Sequence, residues 1–250
     1  MAVRIPTANQ KTLFGWWIPV AGNSSAPTAI VIHGWGGNAE TMLLLAPPLQ
    51  AAGIAVLLID ARCHGRSDED NFTSLPRFAE DLEGAIAWLR QQAGGEAMPI
   101  SLIGHSVGAG AALLAASRRK DIAAVVSIAA FTHPVAMMRR WFAAMKIPYL
   151  PVGWLILRYI QRVIGYRFDN IAPVNTIARV SCPVLLIHGE QDDTVPVSEA
   201  HAIYAARTGD HVQLKTIAGS HDDFSKLEDI EAELEALAGF LVTAVKARPV

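Results

Sequence analysis

Ile100-Ser101-Leu102-Ile103-Gly104-His105-Ser106-Val107-Gly108-Ala109-Gly110-Ala111-Ala112-Leu113-Leu114-Ala115-Ala116 is the stretch from which the fold can be read. The first five residues form a short apolar run, as expected of a strand buried on both faces, and from Ala109 onward small helix formers take over. Between the two halves lies G-x-S-x-G, with its serine at position 106. Glycines on both sides of a serine allow a sharp strand-to-helix turn that lifts the hydroxyl above the carboxyl edge of a sheet. Ser106 is therefore a candidate nucleophile, weighed against the plainer reading of a glycine-rich strand–helix connection.

Working outward, the same alternation recurs. Ala29–His33, Ala55–Asp60, Ala123–Ile128 and Val184–Gly189 read as further central strands and Val212–Ile217 as a sixth, while Ala39–Ala52, Pro76–Gln92, Val107–Arg118, Ser198–Thr208 and Ile230–Val245 carry helical spacing or strong helix formers. Strands alternating with helices predict an α/β fold with a parallel sheet covered on both faces. Upstream, Thr12, Phe14, Trp16 and Ile18 alternate with other residues, the pattern of an antiparallel edge strand. Ser74 before Pro76 is a candidate helix cap.

The composition narrows the function. Of 250 residues, 52% are hydrophobic and 18% charged, which predicts a globular chain with a substantial core. A net charge of −2 gives no global field to gather a polyanion, so no nucleic-acid partner is expected. Two distant cysteines, Cys63 and Cys182, form neither a disulfide framework nor a zinc motif. The segment from Met1 to Thr7 lacks the apolar run of a secretory signal, and Ile147–Ile160 is too short and too interrupted to span a bilayer. A cytoplasmic location is the expectation.

A serine hydroxyl needs a base, and the base needs an orienting group. Both are offered downstream. His188-Gly189-Glu190-Gln191-Asp192-Asp193-Thr194-Val195-Pro196 leaves the end of one strand, and Gly219-Ser220-His221-Asp222-Asp223-Phe224 follows the last. Alone, His221 reads as a surface-loop histidine and Asp192 as a solvated turn residue. Their order after Ser106, each beyond a strand's carboxyl end, points to a Ser-Asp-His set gathered at one sheet edge. His33-Gly34-Trp35-Gly36-Gly37-Asn38 also follows a strand, and the backbone N–H groups of Trp35 and Val107 are the expected donors to a developing oxyanion. No metal or organic cofactor is required for such chemistry.

These motifs, in this order, resemble the α/β-hydrolase fold superfamily, in particular its capped esterase, lipase and serine-peptidase-like branch, from about Phe14 to Phe240. Asp60-Ala61-Arg62-Cys63-His64-Gly65-Arg66-Ser67 resembles the family's D-x-R-G-H-G-x-S loop, and residues 188–196 its H-G-x-x-D-x-x-V-P loop. The resemblance implies a mainly parallel eight-stranded sheet flanked by helices, with Ser106 as nucleophile, His221 as base and Asp192, rather than Asp193, as the orienting acid. Cys63 departs from the family's glycine; a packed small residue is the expected role. Haloalkane dehalogenases and epoxide hydrolases of this fold need a carboxylate where Ser106 stands.

One interval breaks the rhythm. Residues 132–180 are expected to form a helical cap inserted into a core domain made of residues 1–131 and 181–250. The insertion holds seven basic residues, Arg139, Arg140, Lys146, Arg158, Arg162, Arg167 and Arg179, against Asp169 alone, and seven of the chain's aromatics. Met137, Met138, Trp141, Phe142 and Met145 fall on one side of a helix, with Arg139, Arg140 and Lys146 away from that stripe. Met138, Trp141, Phe142, Met145 and Trp154 are the expected lining of an apolar acyl pocket, and the outward basic residues allow weak peripheral contact with anionic lipid. The function expected is a serine hydrolase of carboxylic esters with medium or longer apolar acyl groups. Thioester cleavage, acyl transfer and peptide hydrolysis use the same groups, and a non-catalytic binding protein is the alternative from another class.

Overall fold

The structure is a computed structural model that describes residues 1–92, 98–221 and 231–247. Eight strands, β1 (Ala2–Thr7), β2 (Lys11–Ile18), β3 (Thr28–Ile32), β4 (Ala55–Ile59), β5 (Ile100–His105), β6 (Ile122–Ile128), β7 (Val184–Gly189) and β8 (Val212–Ile217), form one sheet. The sheet order is β1-β2-β4-β3-β5-β6-β7-β8. From β4 to β8 all pairs are parallel, whereas β1–β2 and β2–β4 are antiparallel. The six strands read from the sequence agree with β3–β8 to within a residue or so at either end.

The edge differs from expectation. β2 lies inside the sheet, because Ala2–Thr7 pairs along its whole length with Lys11–Trp16 and becomes the outer strand. β1 tolerates Pro6, which has no amide to donate, because an edge strand leaves one row of backbone groups unpaired. Ile5 is its single fully buried side chain. The helix expected over Ala39–Ala52 is divided into a 3-10 segment, Ala39–Leu45, and α1 (Ala46–Ala51), since Pro47 and Pro48 cannot donate the amides a continuous helix needs.

The remaining helices are α2 (Leu75–Arg90), α3 (Val107–Ser117), α4 (Pro134–Ala144), α5 (Trp154–Ile164), α6 (Phe168–Ile171), α7 (Pro173–Thr176), α8 (Val197–Ala205) and α9 (Glu231–Lys246). Ser74 caps α2 by accepting the Arg77 amide at 3.4 Å. Side chains of α2 and α3 pack on one face of the sheet, and those of α1 and α9 on the other, giving two apolar layers. The strand order reverses direction between β3 and β5, so the crossovers leave to opposite faces there and a crevice opens outside the carboxyl ends of the strands. Helices α4 to α7 fill the interval between β6 and β7. Among the described residues no helix is long and apolar enough to cross a membrane.

Candidate active site

Ser106 sits on the turn from β5 to α3 with φ 53° and ψ −115°, outside the regions an L-residue ordinarily occupies. Three backbone elements hold it there. Its own amide donates to the Ile128 carbonyl at 2.8 Å, tying the turn to β6. A Cβ at Gly104 would stand 2.2 Å from the Gly108 oxygen, and one at Gly108 would stand 2.4 Å from the His33 oxygen. Both flanking glycines are therefore demanded by close backbone approach, the second bringing the β3 loop against the turn.

His221 and Asp192 come from the loops after β8 and β7. His221 Nε2 lies 3.1 Å from Ser106 Oγ, and His221 Nδ1 lies 2.6 Å from Asp192 Oδ2. With Nδ1–H donating to the carboxylate, Nε2 presents its lone pair to the serine hydroxyl, the tautomer a general base requires. Asp192 Oδ1 accepts the amides of Thr194 at 2.9 Å and Val195 at 2.7 Å, while Oδ2 also takes His188 Nε2 at 3.3 Å. Burial by itself opposes charge on Asp192. The hydrogen bonds from His188, His221 and the Val195 amide outweigh it and hold the carboxyl well below the usual carboxylate range. Asp193 is exposed, and its carboxylate accepts the Thr194 hydroxyl, while the carboxylate on His221 Nδ1 is that of Asp192. Asp222, Asp223 and Phe224 lie outside the described residues.

The loop after β3 brings Trp35 beside Ser106, both lining the same space. His33, fully buried beneath this loop, donates from Nδ1 to the Gly34 carbonyl at 2.6 Å and accepts the Ala61 amide at Nε2, 3.0 Å away. Burial pushes its pKa down to about 4, against the hydrogen bond to Gly34, so the ring is a neutral strut between two loops. His64 stands edge-on to Trp35 with ring centroids 5.9 Å apart. Val107 is the first residue of α3, where an amide has no acceptor within its own helix. Trp35 and Val107, the two residues expected to donate to an oxyanion, both line the space at Ser106.

The D-x-R loop is a tied scaffold. Asp60 accepts the amides of Ala39 at 2.6 Å and Arg66 at 2.7 Å, and buried Arg62 bonds Asp81 at 2.6 Å and Glu80 at 2.7 Å. Burial opposes the Arg62 charge, but Asp81 and Glu80 more than compensate and raise its pKa. Cys63 has φ 64°, a conformation that suits the family's glycine, and its sulfur accepts the Asp70 amide at 3.2 Å. Its side chain is half-buried against the Asp70 backbone, despite the strained conformation.

Two cavities meet at Ser106. One, of about 450 Å³, runs past Trp35, Thr41, Met42, Leu45, Thr194 and His221. The other, of about 410 Å³, runs beneath α4 and α5, between Phe72, Leu75, Phe131, Met138, Ile160 and Phe168. Of the expected pocket residues, Met138 and Trp141 line the second cavity, together with Met137, which was grouped with them on the same helix stripe. Phe142, Met145 and Trp154 do not. Phe142 turns inward against Gly153, Met145 falls just past the end of α4 and is exposed, and Trp154 lies on the outer side of α5 under the Arg158 guanidinium. The places left by them are taken by Tyr159, Ile160, Val163 and Ile164 of α5. Arg140 also departs from its expected outward role, since it pairs with Glu199 of α8.

Sequence motifs pointed to neither His188 nor His105 as a partner of the set. His188 Nε2 bonds both the Val195 carbonyl, at 2.7 Å, and Asp192, while His105 Nε2 donates to the His221 carbonyl at 2.9 Å with the two rings 4.9 Å apart. Both stood within the quoted motifs, and their histidine identity was the available signal. Together the groups supply a hydroxyl, a base that can take its proton and a fixed anion behind that base.

The chain is similar to known proteins in both sequence and structure. The family described as Serine aminopeptidase, S33 matches residues 24–164. An uncharacterized protein of Mycobacterium tuberculosis (strain ATCC 25618 / H37Rv) is 30% identical over 244 residues, which is 97% of this chain and 80% of that protein. The sn-1-specific diacylglycerol lipase ABHD11 of Mus musculus is 33% identical over 135 residues, 52% of this chain and 42% of the lipase. Among solved structures, the Pyrococcus furiosus esterase Pf2001 has a TM-score of 0.76 at 25% identity, with 98% of this chain and 91% of that one covered. Est1E of Butyrivibrio proteoclasticus with ferulic acid bound has a TM-score of 0.77 at 21% identity, covering 98% of this chain and 100% of its own, a likeness of fold.

Proposed function

The chain belongs to the serine aminopeptidase S33 family of α/β-hydrolase-fold serine hydrolases, and on that premise we propose that it cleaves carboxylic esters with medium or longer apolar acyl groups through an acyl-enzyme. The observation that carries the reading is the hydrogen-bonded line Ser106–His221–Asp192 opening on a cavity whose walls are mostly apolar side chains. A wall of Met138, Ile160, Phe131 and Phe168 suits a hydrocarbon chain, whereas an aminopeptidase must hold a protonated α-amine, for which such a wall offers no counter-charge.

In the proposed reaction Ser106 Oγ bonds to the ester carbonyl carbon while His221 Nε2 takes the hydroxyl proton. The carbonyl electron pair moves to oxygen, which the Trp35 and Val107 amides receive. Collapse breaks the carbon–alkoxy bond, and His221 returns the proton to the departing alcohol. Water then repeats the sequence on the acyl-enzyme, with His221 as base, and releases the carboxylic acid and free Ser106. Asp192 stays ionised throughout and steadies the imidazolium.

The test is twofold. A fluorophosphonate probe is expected to label wild-type protein at Ser106 and to leave Ser106→Ala unlabelled. A series of aryl esters of increasing acyl length, run beside matching thioesters and aminoacyl arylamides, is expected to show the highest kcat/KM for esters of medium or longer chains. A preference for the arylamides would overturn the ester reading, and absence of any adduct in folded protein would favour a binding protein.

A further inference from the structure

The turns that join α4 to α5 carry side chains that the core does not use. Leu150 is 70% exposed, Leu155 56% and Tyr159 68%, and Met145, Val152, Trp154 and Val163 are exposed beside them. On α5 the outward positions Leu155, Tyr159 and Val163 recur every four residues and form one stripe, while Leu157 and Ile160 face the protein. Contiguous exposed apolar surface of this kind on a globular chain marks an interaction site rather than ordinary surface.

The cations around the stripe indicate what it meets. Arg139, Lys146, Arg158 and Arg162 are exposed and, among the described residues, have no carboxylate partner. Residues 134–168 contain no Asp or Glu at all. Arg158 and Arg139 stack over Trp154 and Tyr149, at 5.0 and 4.5 Å from the ring centroids, which holds cationic heads level with aromatic rings. Apolar side chains flanked by lysine, arginine and ring-bearing residues fit the boundary between anionic headgroups and acyl chains. The unopposed positive charge across the same face matches the headgroups of an anionic bilayer, and the protruding hydrocarbon matches the acyl region just below them.

The stripe is continuous with the site. Trp141, Tyr159 and Val163, all exposed, also line the apolar cavity that ends at Ser106. We infer that the α4–α5 face docks on an anionic phospholipid bilayer, with Leu150, Leu155 and Trp154 in the headgroup boundary and Arg158 and Arg162 on the phosphates. The cavity mouth then opens toward the membrane, so an amphiphilic ester enters from the lipid phase. Docking itself does not depend on the ester reading, because it is read by binding and not by turnover.

Co-sedimentation with vesicles of phosphatidylcholine alone and of phosphatidylcholine with about a third phosphatidylglycerol tests it. Wild-type protein is expected to bind the anionic vesicles at least about tenfold more tightly and to be released by high salt. Arg158→Glu/Arg162→Glu is expected to lose that difference, and Leu155→Asp/Leu150→Ser to weaken binding to either vesicle, with hydrolysis of a short water-soluble ester unchanged as the check on folding. Equal binding to both vesicles, or undiminished binding by the arginine pair variant, overturns the proposal. So does a wild-type dimer that Leu155→Asp dissociates in sedimentation velocity when no vesicle binding is seen, since a second copy then covers the face.

Discussion

Asp192 receives four donors, two backbone amides on one oxygen and two imidazoles on the other, and that convergence fixes its charge. An amide in its place keeps the shape but not the acceptor capacity, and it favours the wrong His221 tautomer. Asp192→Asn is expected to lower kcat by about ten-thousandfold with little change in KM, measured on a short ester. His33 permits a second test through stability. Its pKa falls from 6.5 unfolded to about 4 folded, so between those values the unfolded chain holds a proton that the folded one refuses. This contribution is fully present above about pH 6.5 and is lost as pH falls toward 4, by about 3 kcal/mol in all. Urea titrations across that range are expected to show a flatter profile for His33→Asn than for wild type; parallel profiles would assign the acid sensitivity elsewhere. Ser106, Asp192 and His221 were legible because each follows a β-branched run and has glycine close by. His188 and His105 were not, because only the folded loops show which atoms their rings reach.

At the scale of elements, Glu199 joins the helices over the site to the body of the protein. It accepts the Thr132 amide at 2.6 Å and the Thr132 hydroxyl at 3.0 Å, and it pairs with Arg140 of α4. Glu199→Ala leaves a part-buried amide and a guanidinium without their acceptor and is expected to cost about 2 kcal/mol by denaturant unfolding. Such a loss should be accompanied by faster proteolytic cleavage in α4. The parallel strands β3 to β7 were readable because burial on both faces writes them as mostly apolar runs. β1 was not, because Val3 and Ile5 are two apolar residues in a short segment that contains Pro6, and only pairing with β2 makes it a strand. Helical periodicity also placed Phe142 and Met145 with Met138, yet a stripe has two margins. One margin faces the turn at Tyr149–Gly153 and the other runs past the helix end, neither of which spacing along the chain can show.

For the whole molecule, chain preference is expected to follow from the space beneath α4 and α5. Met138→Trp, on its wall, adds bulk without touching Ser106 or His221 and should lower kcat/KM for long-chain esters at least about tenfold while sparing acetyl esters. An unchanged length profile would move the acyl chain to the cavity beside Trp35. The architecture separates two duties. β6 pairs directly with β7, from Val125 with Val184 to Ile128 with Ile187, although α4 to α7 intervene in the chain. To the sheet, everything that α4 and α5 contribute is an excursion between two neighbours already joined by their own hydrogen bonds. One contiguous stretch can consequently be rewritten, by natural drift or by design, to change what is admitted while the machinery for bond cleavage is inherited intact.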